Sequence, residues 1–379
     1  MNNWVFLKYC LGIDADIRNI AANIDWRQLY DFAKKQALLG FCFQGIERLG
    51  NEYPEVLRKN PIRQDLLMEW MGKAQQIRRR NMKVNAVAGK LFAQLRKDGL
   101  RCCVLKGLGN ALMYPKPYSR TPGDIDVWVN AGRADIFEYA KKHFVLGDDE
   151  RCHHLETAVD CMPVELHFMP ATMNNPVYNV RLHKWFKRNA DLQCSNIVNL
   201  PDEAGVIAVP TVAFNVIYQL AHLYHHFFDE GIGLRQLLDY YFVVVKWHTD
   251  HTALMDFDTT DLAALQRDLK WLGLWKFAGA VMFVLHEVFG LEEEKMIAPM
   301  NEKEGAFLLE EIMHGGNFGQ YDDRLGNKAE EGKVHRYFRM SLRNMRFVKH
   351  YPSEAICEPL FRTWFLFWIL PPLQLRFLH

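Results

Sequence analysis

The chain of 379 residues is 49% hydrophobic and 24% charged, with a formal net charge of +1. That length supports two domains with a sizeable core, and the charge balance excludes a chain drawn as a whole to nucleic acid or an anionic membrane. No stretch of about 18 apolar residues occurs, so a spanning helix is not expected. The eight cysteines include no C-x-x-C pair and read as reduced thiols in a cytoplasm.

Residues 25 to 49 set Trp26, Leu29, Phe32, Ala33 and Ala37 at helical spacing, with Asp25 as N-cap and Gly50 as the stop. Asn60-Pro61 is expected to open the next helix, because proline suits the first helical position. The apolar positions Leu66, Trp70, Ile77, Val84, Leu91 and Leu95 carry that helix to Gly99. The basic run Arg78, Arg79 and Arg80 lies in its middle, where a solvated face accounts for it more simply than a nucleic-acid contact. Residues 1–100 therefore read as a helical lead-in that packs against the catalytic sheet.

The stretch from Cys103 to Val129 carries the chemistry. Cys103, Val104 and Leu105 form a short apolar run of the buried-strand type, ended by Lys106-Gly107. GLGNALMY follows as a short helix, and a Pro/Ser/Thr-rich loop containing Arg120 leads to a second strand, Asp124 to Val129. Side chains alternate along a strand, so Asp124 and Asp126 share one face while Ile125, Val127 and Val129 share the other. Two carboxylates about 4 Å apart repel by roughly 4 kcal/mol at an effective dielectric near 20. A hard divalent cation with oxygen ligands removes that conflict. A surface Asp-Ile-Asp on an edge strand is the competing interpretation.

Strand, glycine turn, helix and a strand bearing Asp-hydrophobic-Asp resemble the nucleotidyltransferase superfamily that includes DNA polymerase β. With Lys-Gly on the first strand and Arg-x-x-x-Asp-Ile-Asp on its partner, the chain resembles a bacterial family of largely uncharacterised nucleotidyltransferases. In the superfamily the turn usually reads Gly-Ser and stands nearer the acids; here it is Lys106-Gly107, with 16 residues before Asp124. The resemblance implies that Asp124 and Asp126 bind two Mg²⁺ or Mn²⁺ ions. It also implies that Lys106, Gly107 and Arg120 hold the phosphates of a nucleoside triphosphate, Arg120 by a bidentate fork.

GRADIFEYAKKHF reads as a helix. HHLETAV and VELHF then alternate around the turn Asp160-Cys161-Met162-Pro163, which argues for an antiparallel hairpin. Val164, Leu166 and Phe168 share one face of the second run, and Glu165 and His167 the other. The family places an acid before a hydrophobic residue and His at this point, so Glu165 is the candidate third acid and metal ligand. A solvent-facing strand glutamate is the alternative.

From residue 203 onward helices dominate. Thr211 can cap a helix through Phe228, with Gly231 and Gly233 marking the break to another. His222, His225 and His226 fall on one helical face, but without the H-E-x-x-H arrangement they read as packed histidines rather than zinc ligands. Arg235 and Asp239 stand four apart, the spacing of a helix-stabilising ion pair. His-x-x-His, Gly-Ile-Gly-Leu-Arg and Asp also resemble a second motif of the same family. On that resemblance His167, His222, His226, Arg235 and Asp239 wall the substrate cleft. Helices are further expected over 258–272, 274–289 and 302–313, followed by a glycine-rich connector over 315–332. The aromatic end LFRTWFLFWILPPLQLRFLH is too short to span a bilayer; docking on the core is the default, and a weak membrane or protein contact the alternative.

The sequence thus predicts an α+β protein: a small mixed sheet of the polymerase β-like core over 101–200, the lead-in before it, and a helical region over 201–379 forming the other cleft wall. The resemblance implies a metal-dependent nucleotidyltransferase that moves a nucleoside monophosphate to an unknown acceptor with release of pyrophosphate. Two alternatives remain: an inactive nucleotide-binding scaffold, and a phosphotransferase or hydrolase using the same acids.

Overall fold

The computed structural model describes residues 2–13, 17–150, 153–253, 262–325 and 333–369. It is 66% helical with one small mixed five-stranded sheet, an α+β fold flanked by helices. The strands are β1 (Cys102–Leu105), β2 (Ile125–Val129), β3 (Val145–Glu150), β4 (His154–Val159) and β5 (Met162–His167), in the order β1-β2-β5-β4-β3. β2 and β5 run parallel, and the other neighbours are antiparallel. A parallel pair needs a long crossover. The helix Arg133–His143 and the strands β3 and β4 supply it.

The expected β4–β5 hairpin forms, with Asp160 and Cys161 both at positive φ (49° and 61°). That two-residue turn matches the strand twist. It sets Val159 opposite Met162 and carries the register back to His154 opposite His167. β3 was not anticipated, because VLGDDE has no apolar alternation. Its edge position comes from pairing with β4, through a bulge between Leu146 and Glu150. A second small sheet, β6 (Ile197–Asn199) with β7 (Val206–Ala208), was also unforeseen.

Alternation gives the main sheet two different faces. Cys102, Val104, Ile125, Val127, Val129, Val164 and Leu166 point to one side and pack on Val84, Val87, Leu91 and Leu95 of the 34-residue helix Gln64–Lys97. Each such buried aliphatic side chain contributes on the order of 1.5–3 kcal/mol. Cys103, Leu105 and Trp128 point the other way, into a larger core shared by the N-terminal and C-terminal helices.

Two expected helix boundaries move. The helix over 25–49 is two helices, Trp26–Lys35 and Leu39–Glu52. Ala37 takes φ 56°, and Leu38 N–H donates to Ala33 O at 2.7 Å, closing a Schellman turn without the usual glycine. Asn60-Pro61 does not open the next helix, which starts at Gln64; Asn60 Nδ2 instead donates to Ala21 O and Ile24 O, both at 2.9 Å. Asp25 and Thr211 cap their helices as expected.

The C-terminal half contains the helices Val212–Asp229, Leu234–Ala253, Leu262–Trp271, Trp275–Phe289, Glu302–Gly315, Lys333–Met345 and Pro352–Ile369. The expected start at residue 258, the connector beyond 325 and the Pro371-Pro372 stop lie outside the described residues. Among the described residues no helix is long and apolar enough to cross a membrane.

Candidate active site

A cavity of about 480 Å³ lies between one face of the sheet and the helices Val212–Asp229 and Leu234–Ala253. Its sheet side is built by register. Asp126 pairs with Glu165 across the parallel β2–β5 step, and Glu165 pairs with Glu156 across the hairpin. One row across three strands therefore carries three carboxylates on one face. The next row carries Trp128, His167 and His154. Asp124 precedes β2, half-buried, and lines the same cavity.

Lys106 stands where β1 gives way to the short helix Gly107–Ala111, at φ 50° and ψ −122°. That conformation is costly for a side-chain-bearing residue, on the order of 1–3 kcal/mol. It aims Nζ at Asp126 Oδ1, 2.7 Å away. The backbone freedom expected of Gly107 thus falls on Lys106; a Cβ on Gly107 would meet nothing nearer than Arg120 Nη1, at an ordinary 3.6 Å.

His167 lies behind the acids rather than on the open wall. Its Nε2 is 3.0 Å from both Asp126 Oδ1 and Glu165 Oε2, and its Nδ1 is 3.3 Å from Met169 O. Both ring nitrogens face acceptors, so the imidazolium is the form this setting suits. Burial opposes that charge, but the hydrogen bonds to Asp126 and Glu165 carry the His167 pKa above its usual value. Burial would likewise raise Asp126, yet Lys106 and His167 hold its carboxyl well below the ordinary range. Glu165 goes the opposite way: burial pushes it up to about 7, against the His167 hydrogen bond. Neighbouring carboxyls with separated proton affinities divide ionised and protonated roles between them.

Three groups here are spaced to hold a cation: Asp126, Glu165 and His167; His154, Glu156 and Glu165; and His153, His154 and His167. Oxygen-rich sets suit hard divalent ions, and the imidazoles widen the choice toward transition metals.

The helical wall brings His222, His225 and His226 to the cavity, with His222 and His226 joined Nε2 to Nε2 at 3.0 Å. Burial, as the main cause, lowers the pKa of both, that of His226 to about 3. Asn110 ties this wall to the Lys106 turn: its Oδ1 accepts from Gln219 Nε2 at 2.7 Å and Asn215 Nδ2 at 3.2 Å.

Arg120 and Asp239 line the cavity as expected, but their partners differ from the expected ones. The Arg120 fork meets Asp239, Nε to Oδ1 at 2.8 Å and Nη2 to Oδ2 at 2.7 Å, and Tyr114 Oη donates to the same Oδ1 at 2.7 Å. The expected i,i+4 pair of Arg235 with Asp239 is replaced by this long-range one. Arg235 instead donates from Nη1 to Thr121 O at 3.2 Å. Sequence patterning did not single out His153, His154, Glu156, Gln219 or Phe318, all of which line the cavity. The two-residue hairpin turn was the available signal, since it forces His154 and Glu156 onto the face of Glu165 and His167.

The sequence profile of a family described as an uncharacterised nucleotidyltransferase matches residues 22–290. The chain belongs to that family. The nucleotidyltransferase match spans the sheet, the Lys106 turn and both helices that wall the cavity. No curated protein sequence matches the chain significantly.

Proposed function

We propose that this nucleotidyltransferase moves a nucleoside monophosphate from a nucleoside triphosphate to an acceptor hydroxyl, with pyrophosphate leaving, on the polymerase β-like plan. The observation that carries the reading is the side-by-side placement of Asp126 and Glu165 on β2 and β5, with Asp124 lining the same cavity.

The donor set fits Mg²⁺ or Mn²⁺. Asp124, Asp126 and Glu165 offer carboxylate oxygens, and Asp126 is held ionised. Two ions held there would neutralise phosphate charge and lower the pKa of the acceptor hydroxyl. Lys106 and His167 are the cations that answer Asp126 in the resting protein. Lys106 is free to turn from Asp126 Oδ1 to a phosphate oxygen, a charge-assisted bond of similar kind. Glu165 Oε2, with its raised pKa and its contact to His167 Nε2, is placed to hold a proton that an arriving cation displaces. Arg120, locked to Asp239, positions the loop that leads into Asp124 rather than gripping phosphate.

Calorimetric titration with ATP tests the reading. Mg²⁺ or Mn²⁺ should tighten ATP binding, and Asp126→Asn should abolish that gain. Equal affinity in EDTA sinks the proposal. Turnover that releases inorganic phosphate instead of pyrophosphate points to a phosphatase or phosphotransferase.

A further inference from the structure

The helical wall holds three buried nitrogens that no hydrogen-bond acceptor among the described residues answers: Arg235 Nε, Gln236 Nε2 and His226 Nδ1. Arg235 and Gln236 are 7% and 9% exposed, and all three residues line the cavity. Two of them, Arg235 and His226, flank one side chain, and Gln236 follows Arg235 on the same helix. The Arg235 guanidinium lies 5.3 Å from the Phe318 ring centre, and the His226 ring lies 5.5 Å from it. Phe318 is fixed between close backbones. A Cβ on Gly319 would stand 2.1 Å from Glu230 O, and one on Gly233 would stand 2.7 Å from Asn317 Cα.

Each nitrogen is left over for a definite reason. Both oxygens of Asp239, the nearest acid on the helix of Arg235, are taken by Arg120. No carboxylate among the described residues forms an ion pair with Arg235. Gln236 uses Oε1 to accept from Gly233 N–H at 2.9 Å, which commits its amide and leaves Nε2 over. The first free N–H of the helix, on Leu234, is likewise occupied, donating to Gln36 Oε1 at 2.9 Å. His226 Nε2 is joined to His222, and in the tautomer where it accepts, Nδ1 carries the proton. Glu230 Oε2 stands 4.0 Å from that Nδ1, too far for a hydrogen bond. A buried guanidinium whose nearest carboxylates, Asp239 and Asp124, act on it without forming an ion pair and a buried unpaired amide are both unfavourable. An ordered anion bearing several acceptor oxygens relieves them together.

We infer that Arg235, Gln236 and His226 form an anion subsite that grips a phosphate group of the substrate from the helical wall. The subsite adjoins the acids: a Cβ on Gly123, the residue before Asp124, would stand 3.9 Å from Arg235 Nη1. Burial and the neighbouring Arg120 lower the Arg235 pKa to about 10, which still leaves it cationic at neutral pH. Which molecule owns the phosphate rests on the nucleotidyl-transfer reading: either the triphosphate tail or a phosphate carried by the acceptor.

The test is calorimetry on the full chain with Mn²⁺ and three probes: ATP, inorganic pyrophosphate and glycerol 3-phosphate. Arg235→Gln should weaken binding roughly ten- to hundredfold, and Gln236→Leu about three- to tenfold. Losses confined to ATP and pyrophosphate assign the subsite to the triphosphate tail; a loss confined to glycerol 3-phosphate assigns it to the acceptor. Should Arg235→Gln fail to fold, Arg235→Lys and Gln236→Leu carry the test, with a smaller loss in the same probes. Affinities within twofold of wild type for all probes, in folded variants, overturn the subsite, as does wild-type protein that binds none of them. Failure of the transfer reading looks different: ATP binding would then ignore Mn²⁺ and Asp126→Asn, while pyrophosphate binding still depended on Arg235.

Discussion

Two ion pairs, one buried and one half-buried, border the same cavity, and they are built in opposite ways. Arg120 and Asp239, each with side chains 6% exposed, meet through two parallel hydrogen bonds, with Tyr114 adding a third donor. Their geometry is the planar fork that suits arginine and carboxylate, and the carboxylate is saturated from within the protein. Lys106 and Asp126 meet through one contact at 2.7 Å, and the same Oδ1 also takes His167. There the charges are crowded, Glu165 lies alongside, and the lysine backbone is strained. The first pair is finished without a ligand. The second is a balance among four titratable groups that an arriving cation or phosphate can redistribute.

The largest expected effect breaks the finished pair. Asp239→Ala leaves Arg120 buried without a counter-charge and should reduce stability by about 3–5 kcal/mol in urea unfolding. The double variant Arg120→Met with Asp239→Leu should recover a large part of that loss, since replacing a buried pair by apolar groups is often tolerated. A loss below about 1 kcal/mol in the single variant would mean that the fork contributes no more than an exposed pair does.

The unfinished pair should respond in binding instead. Lys106→Met keeps the stem, deletes the charge and should weaken ATP binding by roughly 1.5–3 kcal/mol. Its effect on the melting temperature should be smaller than that of Asp239→Ala, because His167 still answers Asp126. Unchanged ATP affinity with the fold intact would make Lys106 a structural lysine and erase the contrast.

Glu354 sharpens the comparison from outside the site, because it is a buried carboxyl answered by neutral donors of Asn174 and Asn175, with no cation paired to it among the described residues. Its oxygens accept from Asn174 N–H at 2.8 Å and from Asn175 N–H at 3.2 and 3.3 Å. Burial raises its pKa to about 7 from the ordinary 4.5. The folded chain therefore holds this proton more tightly than the unfolded one. The stability so gained is fully present below about pH 4.5 and is lost as pH rises through about 7, at up to about 1.4 kcal/mol per unit. Glu354→Gln should consequently gain on wild type between about pH 5 and pH 8 in urea midpoints. Parallel pH profiles for the two proteins would show that Glu354 titrates normally.

Much of the site could be read along the chain. Asp124 and Asp126 announced themselves by breaking an apolar strand, Glu165 and His167 by alternating in the next one, and Thr211 and Asp25 by preceding apolar periodicity. Other parts were hidden for identifiable reasons. The Schellman turn at Ala37 lacks the glycine that normally marks it. The β3 strand owes its place to a neighbour rather than to its own pattern. Arg235 and Asp239 had the spacing of a helix pair, but a guanidinium from 119 residues away in sequence reached the aspartate first, with better geometry.

By itself, then, the sequence determined which residues alternate, where helices can start, and that carboxylates and a lysine stand at the ends of buried strands. These are local properties, set by backbone periodicity and by the chemistry of each side chain. Tertiary structure decided who answers whom: His167 behind both acids, Arg120 closed on Asp239, and Arg235 left with donors facing the cavity. A buried charge takes whichever partner offers the best desolvated geometry, and that choice exists only after distant segments have packed together.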